Sequence, residues 1–449
     1  MATWAWQSLR SSNSTVAAAS TANEGRHTGK RVLVILWIAA IAAMILMGLS
    51  GTPGWDARIC LKTIQSVRSG VDPFAAAMAK QQALGDDGAA RQQNARSLYA
   101  YSPMTLPLLR ALAVLPGWLL MVLFATAAAT GLLLQLRAGY LVADERERSW
   151  LIYLLPAVAF FPGLITDDAV LSGNLAYILY GLILTAAVSG CKRNRWLWFY
   201  FAVLAASTFK LPLLTLLAFP VLVGRRQFFT AASAAATGLL IFATQLWLWP
   251  NLLHEYLATI KMMFDFGHDF GYGPVGVVGE LLWNQGQPYS EATTLTYLVF
   301  AGMIGLILLF FARQMRNENS SHDAWIPIAL VGTFLLNPRI MKYDMAAITI
   351  PMLLIAWRGL RAALQSVGSS DAVENSRSSR APIFIAAGSF LLLNLLTVFG
   401  PAWLPVELVV LLSVFTLGVR SLVRPEVEIQ PASVPLAADL LTLAVPEEI

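Results

Sequence analysis

The sequence predicts an all-α, polytopic integral membrane protein with about 10–12 transmembrane helices. Three observations carry that prediction. Of 449 residues, 57% are hydrophobic and only 13% are charged, against about 25% charged in a soluble domain. Runs of roughly 18–20 apolar residues recur along the chain, each long enough to cross the hydrocarbon. Lys and Arg cluster at alternate segment ends, the bias of cytoplasmic loops. The net charge of +5 therefore reflects membrane topology and argues against nucleic-acid binding.

Taken in order, spans are expected near 32–50, 105–138 (an oblique or broken entry, then a full span), 149–166, 170–190, 195–209, 211–223, 227–249, 292–312, 323–337, 343–357, 382–399 and 404–420. The first is read as an uncleaved span, because no small-residue cleavage site follows it. Lys210–Leu211–Pro212 breaks the stretch 195–223 into a hairpin, since Pro212 disfavours helix continuity and keeps Lys210 out of the α region. With that hairpin, the basic groups all fall on one side: Arg137, Arg146 and Arg148; Lys192, Arg193 and Arg195; Arg225 and Arg226; Arg313 and Arg316; Arg358 and Arg361; Arg420 and Arg424.

The organisation that follows is a cytoplasmic tail (1–31), a transmembrane domain (32–423) with outer loops 51–104 and 250–291, and a cytoplasmic tail (424–449). Within the outer loops, 56–68 and 251–266 repeat apolar residues at three and four, the pattern of helices lying flat on the membrane. The polar stretch 80–97 reads as a surface excursion, and the Ser-rich 366–380 as a cytoplasmic linker. Cys60 and Cys191 fall on opposite faces and cannot pair, so no disulfide framework is expected.

The unusual polar residues gather on the other side. Asp56 follows the first span in SGTPGWDAR; it is either a helix N-cap or a general base at the water–lipid boundary, where partial desolvation raises its pKa. Asp72–Pro73 is a turn signal. Tyr99 and Tyr101 precede the half-helix TLPLLRALAVLP, as an interfacial belt or as a substrate wall. Asp167 and Asp168 share a short loop. Asn174, an amide at an apolar helix start, needs a specific partner. Lys210 is a lone ammonium between apolar runs and needs an anion or a snorkelling path. Arg339 and Lys342, with Asp344, sit in LLNPRIMKYDMAAI, where two cations suit phosphate or pyrophosphate. His254, His268 and Asp269 lie in the second outer loop, without zinc-ligand spacing. Candidate substrate contacts on this face are Arg58, Asp72, Tyr101, Asn174, His254 and His268.

The order of these segments resembles glycosyltransferase family 87, polyprenyl-phosphate-mannose-dependent enzymes of the glycosyltransferase C (GT-C) superfamily. The shared features are WDAR after the first span, GVDPF, YSPMTLPLLRALAVLP, LSGNLAYIL, FKLPLLTLLAFPVLVGRR and NPRIMKYD, over roughly 30–360. The chain departs from many members in having Ala57 beside Asp56, where they carry a second acid.

The resemblance implies a GT-C-like fold in the plasma membrane of a cell envelope, with its site on the extracytoplasmic face. The donor would be a sugar, mannose, on a polyprenyl phosphate. The acceptor would be a hydroxyl of a glycolipid, glycan or protein. Asp56 would be the catalytic base of an inverting transfer. Lys210, Arg339 and Lys342 would bind the donor phosphate, so no cofactor or metal is expected. A transporter or flippase would also suit broken helices and charges; a lipid-linked glycan polymerase or ligase would use the same charges on a diphosphate donor.

Overall fold

A computed structural model describes residues 54–151, 173–224, 226–266, 271–286, 291–317, 322–368 and 406–423, with isolated positions between 31 and 42. The expected span at 32–50, most of that at 149–166, the span at 382–399, both tails, most of the Ser-rich linker, and Asp167, Asp168, His268 and Asp269 lie outside the described residues. Every described element is helical, as the composition requires: in lipid, backbone polar groups must be satisfied within the segment.

The chain enters through three helices that lie at one end of the molecule: α1 (Trp55–Arg68), α2 (Pro73–Ala83) and α3 (Gly88–Arg96). A 3₁₀ turn (Pro103–Thr105) leads into the half-helix α4 (Leu106–Leu112) and then α5 (Gly117–Val142). This is the broken entry that two prolines in YSPMTLPLL dictate. A short α6 (Glu145–Leu151) follows. After the masked stretch come α7 (Ala176–Arg193), α8 (Leu197–Ser207), a 3₁₀ segment (Leu211–Leu217) and α9 (Ala218–Val223). The hairpin reading of 195–223 holds, with the break at Lys210, whose backbone is extended (φ −136°, ψ 98°). The remaining helices are α10 (Phe228–Leu248), α11 (Pro250–Asp265), α12 (Pro274–Asn284), α13 (Glu291–Asn317), α14 (His322–Phe334), α15 (Thr349–Gly368) and α16 (Val406–Val423).

Among the described residues, α5, α10 and α13 are long and apolar enough to cross a membrane. Their outward surfaces carry exposed Phe229, Leu240, Trp247, Leu306 and Phe310, side chains that lipid rather than water would cover. The protein is thus an all-α membrane protein. Its main core is a single apolar cluster drawn from α5, α7–α10 and α13–α16. A second cluster caps one end of it: Cys60, Ile64, Phe74, Tyr99, Tyr101, Leu106, Leu109, Ala113 and Leu120.

One contact sets the register of the bundle. A Cβ on Gly131 of α5 would lie 2.2 Å from the Tyr177 carbonyl carbon, and one on Gly181 of α7 would lie 2.5 Å from the Gly131 oxygen. These two helices meet backbone to backbone, the approach that small residues permit in membrane bundles. At the far end of α5 a second fastening operates. Buried Glu147 takes a bidentate pair from Arg358 (2.8 and 2.9 Å), whose guanidinium also donates to the Val142 and Ala324 carbonyls (both 3.2 Å). Arg316 donates to the carbonyls of Val221, Leu222 and Gly224 (2.8–3.1 Å), satisfying the C-terminal end of α9. The basic residues Arg316 and Arg358 are structural rivets here.

The stretch 80–97 is mostly exposed, as a surface excursion should be, and it is also helical. It forms the end of α2 and all of α3, and it buries a polar pair, Asn94 donating to Gln81 (2.7 Å). Asp87 accepts from the Ala90 amide (2.9 Å) and starts α3, a capping signal inside a sequence that reads as uniformly polar.

Gly131→Ala is expected to destabilise the protein by about 1–3 kcal/mol, the range for overpacking. A Cβ at Gly302 of α13 would meet nothing within 4 Å, so Gly302→Ala should be neutral or stabilising. Thermal unfolding of both variants in the same detergent checks the contrast; equal losses would remove the packing argument.

Candidate active site

The site begins with a helix that does not use its own aspartate as a cap. The N-cap of α1 is Gly54, in the left-handed region (φ 70°), and no side chain caps it. That conformation favours glycine, and it leaves Asp56 in the first turn of α1, free of the capping role. The helix-cap reading of Asp56 is therefore wrong. Its carboxylate instead accepts a hydrogen bond from the Asn174 side-chain amide. Asn174 is buried, and its other atom, Oδ1, accepts from the Ala176 amide at the start of α7 (2.7 Å). One amide thus caps α7 and grips Asp56. The approach depends on Gly173 (φ 68°), where an added Cβ would stand 3.0 Å from the Ala57 Cβ.

Lys210 reaches the same place from the turn after α8. Its ammonium pairs with Asp344 at 2.8 Å, with Lys210 side-chain exposure at 19% and Asp344 at 4%. It also stands 4.0 Å from the centre of the Tyr343 ring, a cation–π arrangement. Asp344 belongs to the 3₁₀ turn Lys342–Ala347, and its second oxygen accepts from the Met341 amide (3.4 Å). The anion that a lone lysine between apolar runs demanded is, in this structure, an internal carboxylate.

These charges act on Asp56. Burial raises its carboxyl from 3.8 to about 6, against the lowering pull of Lys210 and of the Asn174 hydrogen bond, while Asp344 adds to the rise. A half-buried carboxylate near neutrality, with one hydrogen bond and a cation close by, is the profile of a general base. Neighbouring groups are inert at that pH. Burial pushes the Cys60 thiol up to about 12, and burial holds the Tyr99 and Tyr101 phenols well above their ordinary range.

An aromatic wall closes one side. Phe74, Tyr99, Tyr101 and Phe209 pack in series, the first pair tilted and the next two edge-on, with ring centres 6.1, 5.3 and 6.0 Å apart, and Tyr256 of α11 joins at Phe74 (5.5 Å). Tyr99 shares a hydrogen bond with Thr105 (2.7 Å), and Ser102 donates to Gln245 of α10 (2.8 Å), fixing the wall to the bundle. The segment leading into α12 is fastened here too: the Tyr272 amide donates to the Ile340 carbonyl (2.6 Å), and Gly271 (φ 82°) has no room for a Cβ beside that oxygen.

Other expected residues fall at varied distances from this centre. Asp72 caps α2, accepting from the Phe74 and Ala75 amides (2.8 and 3.3 Å). It also faces Glu255 of α11, whose carboxyl rises from 4.5 to about 7, first through its hydrogen bond with Asp72 and then through burial. Arg339 is half-buried, with its guanidinium 5.6 Å from the centre of the Phe264 ring. Lys342 opens the 3₁₀ turn; its side chain is outside the described residues. Arg58 and His254 are exposed, and no hydrogen bond or ion pair brings either to Asp56. Asp344 and Tyr343, adjacent in sequence to the expected cations, are the members of the cluster that were not singled out as binding residues. The unanswered charge of Lys210 was the signal for them. Among the described residues, no three His, Cys, Asp or Glu side chains converge on a metal-sized site. The cations and amide here suit an anion.

The sequence model of glycosyltransferase family 87 matches residues 99–338, more than half of the chain, and the chain belongs to that family. It is a membrane glycosyltransferase. No curated protein and no solved structure matches it. Tyr101, Asn174, Lys210 and His254 lie inside the matched stretch, Asp56 lies before it, and Arg339 directly follows it.

Asn174→Ala removes the hydrogen bond that favours ionised Asp56. The Asp56 carboxyl should then titrate higher by about one pH unit, the equivalent of a charge-assisted bond of roughly 1.5 kcal/mol. Carbodiimide modification of Asp56 as a function of pH, read by peptide mass spectrometry, checks this. An unmoved midpoint would deny Asn174 that role.

Proposed function

We propose that this protein transfers a sugar, mannose by its family resemblance, from a polyprenyl-phosphate donor to an acceptor hydroxyl on the extracytoplasmic face of the plasma membrane, with inversion. The observation that carries the reading is the Asp56 carboxylate: half-buried, raised to about 6, gripped by Asn174, and placed beside an ammonium suited to phosphate. At pH 7 such a group is roughly nine-tenths ionised and still basic enough to take a proton in the transition state.

In the reaction, the acceptor hydroxyl gives its proton to Asp56. Its oxygen bonds to the anomeric carbon from the face opposite the leaving group. The bond from that carbon to the phosphate oxygen breaks, and the electron pair departs with the polyprenyl phosphate, through an oxocarbenium-like transition state. Lys210 is the nearest cation to receive the developing phosphate charge, with Arg339 and Lys342 on the same turn region. The tyrosine wall offers apolar surface against which a sugar ring or isoprenoid would stack.

Sidedness rests on the charge pattern. Asp56, Asn174, Lys210 and Asp344 share the end of the bundle where α7 begins. Lys192 and Arg193 lie at the end where it finishes, about 27 Å away for 18 residues at 1.5 Å each. The Arg358–Glu147 pair is also at that basic end. Cytoplasmic loops retain such residues, so the Asp56 end faces outward, where lipid-linked sugars rather than nucleotide sugars are at hand. The acceptor is a glycolipid, a glycan or a protein. No obligatory cofactor is required, since protein cations can neutralise the leaving phosphate.

Sugar transfer from radiolabelled polyprenyl-phosphate-mannose, in membranes with matched expression, tests the reading. Wild type should transfer label at a rate that rises with pH through about 6; Asp56→Asn should lose about 10²–10⁴-fold, the range for a general base. Because burial disfavours ionised Asp56, the same variant should keep or raise its unfolding temperature at pH 7.5. Transfer undiminished in Asp56→Asn would return that residue to a structural role. Transfer only from a diphosphate-linked donor would favour a polymerase or ligase.

A further inference from the structure

The Lys210–Asp344 pair is costly where it stands. Asp344 is 3% exposed, and a carboxylate so placed loses most of its hydration, which one ion pair does not always restore. The pair nevertheless joins two turns 134 residues apart, one between α8 and α9 and one before α15. Asp344 contributes more than attraction. One oxygen takes the ammonium, the other takes the Met341 amide, and Tyr343 places its ring against the same ammonium. The lysine is therefore held from two directions while its side chain keeps 19% exposure. Arg358, equally exposed at 19%, spends its further donors on the Val142 and Ala324 carbonyls; Lys210 has, among the described residues, the one carboxylate and the ring, which leaves its ammonium able to meet an incoming anion.

Resting on the glycosyl-transfer reading above, we propose that Asp344 is a positioning residue for the transfer: its buried carboxylate holds the Lys210 ammonium ready beside Asp56 and hands it to the donor's phosphate when the donor binds. Asp344 need not touch the substrate. While the site is empty, it keeps Lys210 from collapsing onto Asp56, a pairing that would neutralise the base. When phosphate arrives, Lys210 exchanges one anion for another and needs no new rotamer search, which is how pre-organised cations gain over mobile ones.

The groups facing Asp56 come from several elements. Cys60 lies on its own helix, Tyr99 and Tyr101 on the segment before α4, Asn174 at the start of α7, Lys210 in the hairpin turn, and Asp344 in the 3₁₀ turn. Lys210 and Asp344 act on Asp56 with opposite sign. Removing the Asp344 charge withdraws a like charge and frees Lys210 to move towards Asp56, so the base should become more acidic. Removing the Lys210 charge should make it less acidic.

The experiment uses the full-length protein in lipid nanodiscs, as wild type, Asp344→Asn, Lys210→Gln and the double variant. Carbodiimide modification of Asp56 is followed against pH by peptide mass spectrometry, and sugar transfer against pH is followed in parallel. The expected midpoints fall below wild type by about one pH unit in Asp344→Asn and above it in Lys210→Gln. The double variant should sit above wild type, since the Lys210 effect is the larger. It replaces the ion pair with neutral groups of similar shape, so it serves if either single variant fails to fold. In transfer, Asp344→Asn should lose about tenfold or more in kcat, with its acid limb moved to lower pH. Coincident midpoints in all four proteins overturn the proposal, whether or not sugar moves. So does a shift of the same sign in both single variants, the result of general loosening. If wild type transfers nothing from any lipid-linked donor, the functional reading fails instead, and the midpoints still judge the pair.

Discussion

The close contact of α5 with α7 is the constraint on which the site depends. With glycine on both sides, at Gly131 and Gly181, the two backbones touch, and the start of α7 has one position available to it. Asn174 stands at that start. Its amide is pinned by the Ala176 hydrogen bond, so its free hydrogens have a fixed direction, and Asp56 is where they point. Packing in the apolar interior therefore becomes geometry at the polar end. A bundle held only by long flexible side chains would leave Asn174, and with it Asp56, free to shift by an ångström or more, enough to spoil proton transfer.

The two ends of the bundle handle charge differently, and the contrast explains their roles. At the basic end, Glu147 and Arg358 close a bidentate pair whose remaining donors are spent on backbone carbonyls. At the other end, Lys210, whose side chain is as exposed as that of Arg358 (19% each), has one carboxylate and one aromatic face among the described residues, and Asp56 has one amide donor and a raised pKa. Charges whose donors are spent on backbone carbonyls hold structure; charges satisfied once are available for chemistry.

The apolar cap of α1, α2, α4 and the tyrosines gives this end its dielectric. Without Phe74, Tyr99, Tyr101 and Cys60 packed together, Asp56 would be solvated and titrate near its ordinary value. Helices α1 and α2 thus shape the base as well as cover it. The same cap takes in Tyr256 of α11, and the Tyr272 amide ties the segment before α12 to the late turn at Ile340.

Much of this was legible in the sequence, because it is local. Apolar run length gave the membrane class, Pro212 the break at Lys210, the three–four repeat in 56–68 a helix there, and an amide at an apolar helix start the need for a partner at Asn174. What the sequence left open was decided by distance in space. Asp56 reads equally as a cap or a base until the left-handed Gly54 takes the cap and Asn174 takes the carboxylate. Lys210 needs an anion, and only the fold brings Asp344 across 134 residues to supply it. The stretch 80–97 reads as a polar surface excursion and is mostly exposed, but only the fold pairs Gln81 with Asn94. A charge's requirement for a partner is a property of the residue and can be read from the chain; the partner's identity is set by the packing of helices that the chain joins only at long range.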